Sequence, residues 1–409
     1  MTESEVPTGT IVIVGGGHAA AALCAGLAAA GQGARVHLVC EEAELPYQRP
    51  PLSKSFLKNA QEVLQPHRSP QWYQDAGITL HRADPATTID RARSLLRLRS
   101  GREIGYAQLV LATGARARRL PNLAQSLGNV AVLRGAADAQ VLRSQLQAAQ
   151  HLTVLGGGFI GLEIAASARA LGKEVSVIEA AARLLQRSVS EELAEHVLRT
   201  HRDSGIDVQL GVAAVGFVVD GERLLSIAVD GKATLVDLLV LGIGAAPEQT
   251  LAQDAGLECG SGVNVDACMR TSDPAILAIG DCASFPRHDH GARARLESVQ
   301  NANDQARTAL ATLLGREEPY RALPWFWSEQ GSMRLQMAGL MPEVGQRHRR
   351  AGANPASFSV LHYVGSALVC VESVNAPLDH MAARKLLEAG RSPEPLVACD
   401  AAVPLKAHL

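Results

Sequence analysis

The chain has 409 residues, with 39 basic against 41 acidic side chains and a formal net charge of -2. Balanced charge removes the global positive field that a nucleic-acid binder uses, and an apolar content of 47% excludes a disordered acidic chain. At roughly 150 residues per domain, the length predicts about two or three domains. Only three Trp, five Tyr and six Phe stand beside 37 Gly, a balance that points to an α/β protein with many tight turns. The start, Met1-Thr2-Glu3-Ser4-Glu5, is too acidic for a secretory signal. The Ala-rich stretch from Ala19 to Ala30 is interrupted by Gly26 and is too short to span a bilayer. The seven cysteines contain no C-x-x-C pair, so neither a disulfide scaffold nor a zinc ribbon is expected, and the expected compartment is a reducing cytoplasm.

The first predicted strand, Thr10-Ile11-Val12-Ile13-Val14, runs into Gly15-Gly16-Gly17-His18-Ala19-Ala20. A helix-favouring stretch follows over residues 21–30, then a strand from Ala34 that ends in Glu41. Leu109-Val110-Leu111-Ala112-Thr113-Gly114 is a further strand with a polar exit. The opening pattern then returns. Leu152-Thr153-Val154-Leu155 enters Gly156-Gly157-Gly158-Phe159-Ile160-Gly161, a helical stretch covers residues 162–171, and a strand from Glu174 ends in Glu179.

Each copy fits the dinucleotide-binding fingerprint. The first Gly permits the tight turn, the second lets backbone approach a pyrophosphate, and the third small residue, Ala20 or Gly161, lets helix pack on strand. The helix N-terminus offers free N–H groups to phosphate, and the acid about 20 residues on accepts ribose hydroxyls. Leu238-Leu239-Val240-Leu241 exits through Gly242-Ile243-Gly244, which could let a ribose or nicotinamide lie against backbone. Ile276-Leu277-Ala278-Ile279-Gly280-Asp281 aims a carboxylate at the strand's carboxyl edge, where it could meet a hydroxylated chain or cap the next segment. The stretch His288-Asp289-His290 has no matching ligands nearby and is expected to be surface, so no metal site is assigned.

Taken together, these residues resemble the two-dinucleotide flavoproteins that bind FAD and NAD(P)H, and most closely the ferredoxin reductases of bacterial oxygenase systems. Four stretches carry the closer likeness: Pro46-Tyr47-Gln48-Arg49-Pro50-Pro51-Leu52-Ser53-Lys54, Glu297-Ser298-Val299-Gln300-Asn301-Ala302, Pro324-Trp325-Phe326-Trp327-Ser328-Glu329-Gln330, and Val403-Pro404-Leu405-Lys406. The resemblance implies an α/β fold of two Rossmann-like, glutathione-reductase-like domains plus a smaller α+β C-terminal domain. The FAD domain would comprise residues 1–116 and 246–323, the NAD domain residues 117–245, and the domain covering the flavin residues 324–409.

The resemblance assigns FAD to Gly15, Gly17, His18, Ala19, Ala20, Glu41, Arg49, Lys54, Ala86, Ala112, Thr113, Gly114, Arg134, Asp281, Val299 and Trp327. It assigns NAD to Gly156, Gly158, Phe159, Ile160, Gly161, Glu163, Glu179, Arg187, Gly242, Ile243 and Gly244. Lys54 and Glu163 would pair as supporting catalytic groups, with FAD as the redox centre. Glu179 would repel a 2′-phosphate and favour NADH over NADPH, although Arg183 and Arg187 follow closely and an arginine there could accept that phosphate.

The implied partner is a [2Fe-2S] ferredoxin, and through it a terminal oxygenase, either an aromatic-ring dioxygenase or a cytochrome P450. Val299 stands where many dioxygenase reductases carry Trp, which resembles the P450 branch. Arg307, Trp327 and Lys406 are the docking candidates. No nucleic acid or membrane partner is implied. Two other readings share the fold: an NADH oxidase, peroxidase or disulfide reductase, which needs a redox cysteine such as Cys24 or Cys40, and a flavin-binding sensor or interaction protein.

Overall fold

The computed structural model describes residues 9–124, 126–212, 215–229, 231–287 and 292–409, so His288-Asp289-His290 lies outside the described residues. It divides into two compact units, one of residues 1–49, 64–116 and 246–322, the other of residues 50–63, 117–245 and 323–409.

In the first unit, five short strands form a parallel sheet in the order Ile276–Ala278, Gln108–Leu111, Ile11–Val14, Val36–Val39, Thr79–His81. Ile11, Val12 and Ile13 are buried, as are their neighbours Leu38, Leu109 and Val110. An all-apolar strand with no alternation is what a parallel sheet covered on both faces requires. The helices His18–Ala29 and Val299–Leu313 pack together. Ser298 caps the second of them through a hydrogen bond from the Asn301 N–H at 3.0 Å.

The second unit repeats the device. Its parallel sheet runs Ile206–Gln209, Glu174–Ile178, His151–Leu155, Leu238–Leu241, Val130–Ala131, with the fingerprint strand again central. A separate antiparallel sheet follows, in the order Trp325–Gln330, Met333–Gly339, Ala367–Val374, Phe358–Val364, Gln346–Ala351. The helix Pro377–Glu388 packs on that sheet.

Residues 50–63, expected with the first fingerprint, belong to the second unit. Pro50–Ser53 form a 3-10 turn and Ser55–Lys58 a single helical turn. Hydrogen bonds and packing hold them there. Arg143 lies over the Phe56 ring at 4.1 Å and donates to the Glu62 carbonyl at 3.0 Å. Ser167 donates to the Ser53 carbonyl at 2.7 Å.

Candidate cofactor and hydride-transfer site

The helices after both glycine clusters begin earlier than their composition suggests, at His18 and Phe159. Their N-caps are Gly17 and Gly158, and neither helix has a side-chain cap or an acid in its first turn. The first-turn N–H groups therefore keep their donors for a ligand, and the helix dipole favours an anion there. The leading glycine is demanded by geometry. Gly15 has φ +126 and a Cβ there would stand 2.1 Å from the Ala112 carbonyl oxygen, while Gly156 has φ +108 and would meet the Gly242 oxygen at 2.5 Å. A Cβ at Gly17 would meet nothing within 4 Å, and at Gly158 only the Gly242 oxygen at 3.7 Å. Both cradles thus present bare backbone to open space, which fits a pyrophosphate. Ala20 is fully buried, and Gly161 packs so closely that a Cβ would come within 2.5 Å of the Gly156 oxygen.

In the first unit, a cavity of about 330 Å³ opens beside the cradle, lined in part by Gly15, Glu41, Arg49, Ala86, Thr113 and Glu248. Its size and mixed lining fit the adenosine end of a dinucleotide. Glu41 is exposed to it. Arg49 is held by Glu42 at 2.7 Å and lies 5.1 Å from the Tyr47 ring centroid. Thr113 donates to the Glu248 carbonyl at 2.5 Å, and the Gly114 carbonyl accepts from the Glu248 N–H at 2.9 Å. Ala19 and Ala112 are buried. Asp281 sits in a 3-10 turn after its strand, close enough to act electrostatically on both Arg49 and His18. Burial, and then the neighbouring His67, pull His18 down to about 4, so its ring is neutral at physiological pH. Val299 is the first residue of its helix and is half-buried.

In the second unit, Glu179 accepts from the Gly157 N–H at 2.5 Å and the Ala181 N–H at 2.7 Å. Arg183 donates to the Val189 and Gln186 carbonyls at 2.8 and 2.9 Å, so its guanidinium is tied into its own loop. Arg187 is exposed. Ile160 is 47% exposed on the first turn, and Phe159 packs on Phe326 with ring centroids 4.7 Å apart. Gly242 and Ile243 are half-buried and Gly244 is exposed, directly after the strand that ends at Leu241. The Arg134 backbone N–H is held by Asp138 at 2.9 Å.

The most concentrated chemistry lies around Glu163, one turn into the second fingerprint helix and 3% exposed. It accepts from Lys54 Nζ at 2.7 Å and Ser53 Oγ at 2.5 Å on one oxygen, and from Ser328 Oγ at 2.7 Å on the other. A buried carboxylate is tolerated because three donors, one charged, replace its water. Sequence reading named Lys54 and Glu163 but passed over Ser53 and Ser328. The signal was present in Trp325 to Gln330. On a strand, alternate residues share a face, so Ser328 and Gln330 follow Phe326 inward, while Trp325 and Trp327 lie together on the other face with centroids 5.6 Å apart.

Of the docking candidates, Arg307 is 76% exposed and ion-paired with Asp304, Lys406 is exposed, and Trp327 is half-buried. All seven cysteines are free. Burial pushes Cys40 up to about 12 and raises Cys24 further, so neither offers a thiolate for redox exchange. Among the described residues, no cluster of three or more His, Cys, Asp or Glu could hold a metal ion, and no helix is long and apolar enough to cross a membrane.

Two glycine cradles, a cavity beside the first and a buried glutamate paired with a part-buried lysine beside the second fit a pyridine-nucleotide flavoprotein oxidoreductase. Residues 9–306 match the pyridine nucleotide-disulphide oxidoreductase family, and residues 325–409 match the reductase C-terminal family. The chain belongs to the pyridine nucleotide-disulphide oxidoreductases. Rhodocoxin reductase of Rhodococcus erythropolis is 40% identical over 97% of this chain and 93% of its own length. The ferredoxin reductase for the CYP199A2 system from Rhodopseudomonas palustris matches with a TM-score of 0.94 at 41% identity, covering 98% of this chain and 99% of that one. The putidaredoxin reductase–putidaredoxin complex matches with a TM-score of 0.92 at 34% identity, covering 98% of each chain.

Proposed function

We propose that the protein is an FAD-dependent NADH:ferredoxin reductase that delivers electrons to a [2Fe-2S] ferredoxin serving an oxygenase. The observation that carries this reading is the pair of uncapped glycine helix starts, each followed by a strand-terminal acid. In the first unit, Gly15, Gly17 and Ala20 cradle the FAD pyrophosphate, Glu41 takes the adenosine ribose, and Arg49, Thr113 and Asp281 make further contacts. In the second, Gly156, Gly158 and Gly161 cradle the NADH pyrophosphate, and Glu179 takes its adenosine ribose. Bound FAD would accept two electrons with a hydride and return them singly, as a one-electron iron–sulfur acceptor requires. The side chains of this chain bind, orient and set the local charge, and none need act as a nucleophile.

Preference for NADH is supported by two features of the second cradle. The Glu179 carboxylate is fixed by two backbone N–H groups where a 2′-phosphate would fall, and like charges at that range repel. Arg183, the nearer cation, is already spent on carbonyls. The second unit reads as two domains, residues 117–245 for NADH and 324–409 as a C-terminal domain, because each has its own sheet. Seven free thiols, five of them buried, suit a reducing cytoplasm.

The test is anaerobic titration with NADH and with NADPH, followed by cytochrome c reduction with and without an added [2Fe-2S] ferredoxin. Bleaching by NADH and a ferredoxin-dependent cytochrome rate are expected. Equal cytochrome rates without ferredoxin would remove the partner assignment.

A further inference from the structure

The Glu163 cluster continues beyond its three donors into a buried hydrogen-bond chain. Ser328 Oγ, which donates to Glu163, accepts from Gln330 Nε2 at 3.2 Å. Gln330 Oε1 lies 2.9 Å from His201 Nε2. Ser328 is fully buried, Gln330 is 1% exposed and His201 2% exposed. The chain joins three segments distant in sequence: the helix Glu191–Asp203, the strand Trp325–Gln330 and the fingerprint helix Phe159–Ala170.

Donor counting gives this chain a direction. A serine hydroxyl has one hydrogen, and a carboxylate has none to give. Ser328 must therefore point its hydrogen at Glu163 and receive from the Gln330 amide. That orients the Gln330 oxygen towards His201, which must donate from Nε2. Burial lowers the His201 pKa from the ordinary histidine value, so the ring is neutral and Nδ1 is the bare nitrogen. Every donor in the chain then points towards Glu163, and bonds aligned this way polarise one another.

We infer that Ser328, backed by Gln330 and His201, is a positioning residue that fixes the Glu163 carboxylate against Lys54 for hydride transfer from NADH. The inference rests on the reductase reading above, with Lys54 and Glu163 as the supporting catalytic pair that the family resemblance implies. Its physical content is orientation. Ser53 and Lys54 both bind one oxygen of Glu163, and among the described residues Ser328 holds the other, so it sets the rotation of the carboxyl plane. Ser167, four residues beyond Glu163 on the same helix face, grips the Ser53 backbone, so the 50–55 turn is already fixed. The remaining freedom is the carboxylate's own rotation, which Ser328 removes.

The experiment uses the full-length, FAD-loaded protein with three variants, Ser328→Ala, Ser328→Thr and Glu163→Gln. The limiting rate of flavin reduction by NADH and the NADH dissociation constant are measured separately by anaerobic stopped flow. Losing one hydrogen bond to a charged group at the transition state should slow reduction about tenfold in Ser328→Ala, with NADH affinity changed less than about twofold. Ser328→Thr keeps the hydroxyl and should restore the rate.

If Glu163→Gln is slow while Ser328→Ala runs at the wild-type rate, the inference fails and the reductase reading stands. A Thr variant as slow as the Ala variant assigns the effect to packing and also overturns it. If Glu163→Gln and Ser328→Ala both run at the wild-type rate, the Lys54–Glu163 pair has no part in the hydride step, and that site assignment fails as well. An independent readout needs no turnover: ¹⁵N histidine spectra of the wild-type protein should show His201 as the Nε2–H tautomer. An Nδ1–H tautomer would mean the chain does not run towards Glu163.

Discussion

The two glycines of the proposed NAD cradle make a sharp test because the backbone gives them opposite duties. At Gly156, φ is +108 and a new Cβ would stand 2.5 Å from the Gly242 carbonyl oxygen and 2.7 Å from its carbon. An L-residue in the left-handed region costs about 1–2 kcal/mol, and relieving a backbone clash raises the total to about 3 kcal/mol. For a unit of this size, that lowers Tm by roughly 6–12 °C. At Gly158, φ is -83 with ψ 172, ordinary extended backbone, and the nearest atom to a Cβ is 3.7 Å away. Gly158→Ala should therefore leave Tm unchanged, or raise it slightly through the lower entropy of the unfolded chain. Its methyl would instead occupy the space the pyrophosphate needs. Displacing one charge-assisted hydrogen bond costs about 1.5–3 kcal/mol, so NADH affinity should fall about tenfold to hundredfold. Calorimetry supplies the first quantity and anaerobic NADH titration the second. A Gly158→Ala protein that binds NADH like the wild type, or a Gly156→Ala protein that melts like it, refutes the cradle.

Three other outcomes follow from the same structure. Glu179→Ala should raise the ratio of NADPH to NADH efficiency about tenfold, since it removes one like-charge repulsion at the adenosine ribose. An unchanged ratio in steady-state assays would place the specificity elsewhere. Burial, and then Arg384 and Arg334, lower His380 from 6.5 to about 4, so the folded state favours the neutral ring. Its contribution is complete above the unfolded value and is lost as pH falls towards about 4, a loss of the order of 3 kcal/mol. Urea midpoints measured across that window should flatten in His380→Phe, and parallel curves would count against this account. Finally, if exposed cations such as Lys406 steer an acidic ferredoxin, its reduction should slow as salt shortens the screening length from about 30 Å at 0.01 M to about 8 Å at 0.15 M. A salt-independent rate would argue against charge-guided docking.

Both parallel sheets were legible in the sequence because their signals are local. An apolar run, a glycine cluster, a helical stretch and a second strand ending in acid lie within about 30 residues. The helix starts were read late because composition weighs Ala21 and Leu162 more than it weighs a glycine cap, whereas Gly17 and Gly158 start the helices at once. Tertiary partners were legible only where the family resemblance supplied them: it paired Lys54 with Glu163, which the structure joins at 2.7 Å. Nothing near Ser53 announces Glu163, and nothing in the polar helix Glu191–Asp203 marks His201 as a buried histidine bonded to Gln330. The Trp-Phe-Trp run drew attention to bulk, while the chemistry of that strand sits on the two polar residues that follow.

The two cradles share one backbone device, yet their strand-end acids are treated differently, and the difference bears on what each ligand does. Glu41 is exposed within a cavity whose walls come from residues 41–49, 85–87 and 248–254, loops drawn from across the first unit. Several loops closing on one nucleotide bury more of its surface and raise the cost of leaving. Glu179 is instead held by backbone N–H groups of its own cradle and the turn after it, so its carboxylate is oriented before any ligand arrives. A preformed acid asks little reorganisation of a ligand that must enter and leave on every turnover. On the proposed reading, a resident FAD and an exchanging NADH place those opposite demands on the same fingerprint, and each acid suits one of them.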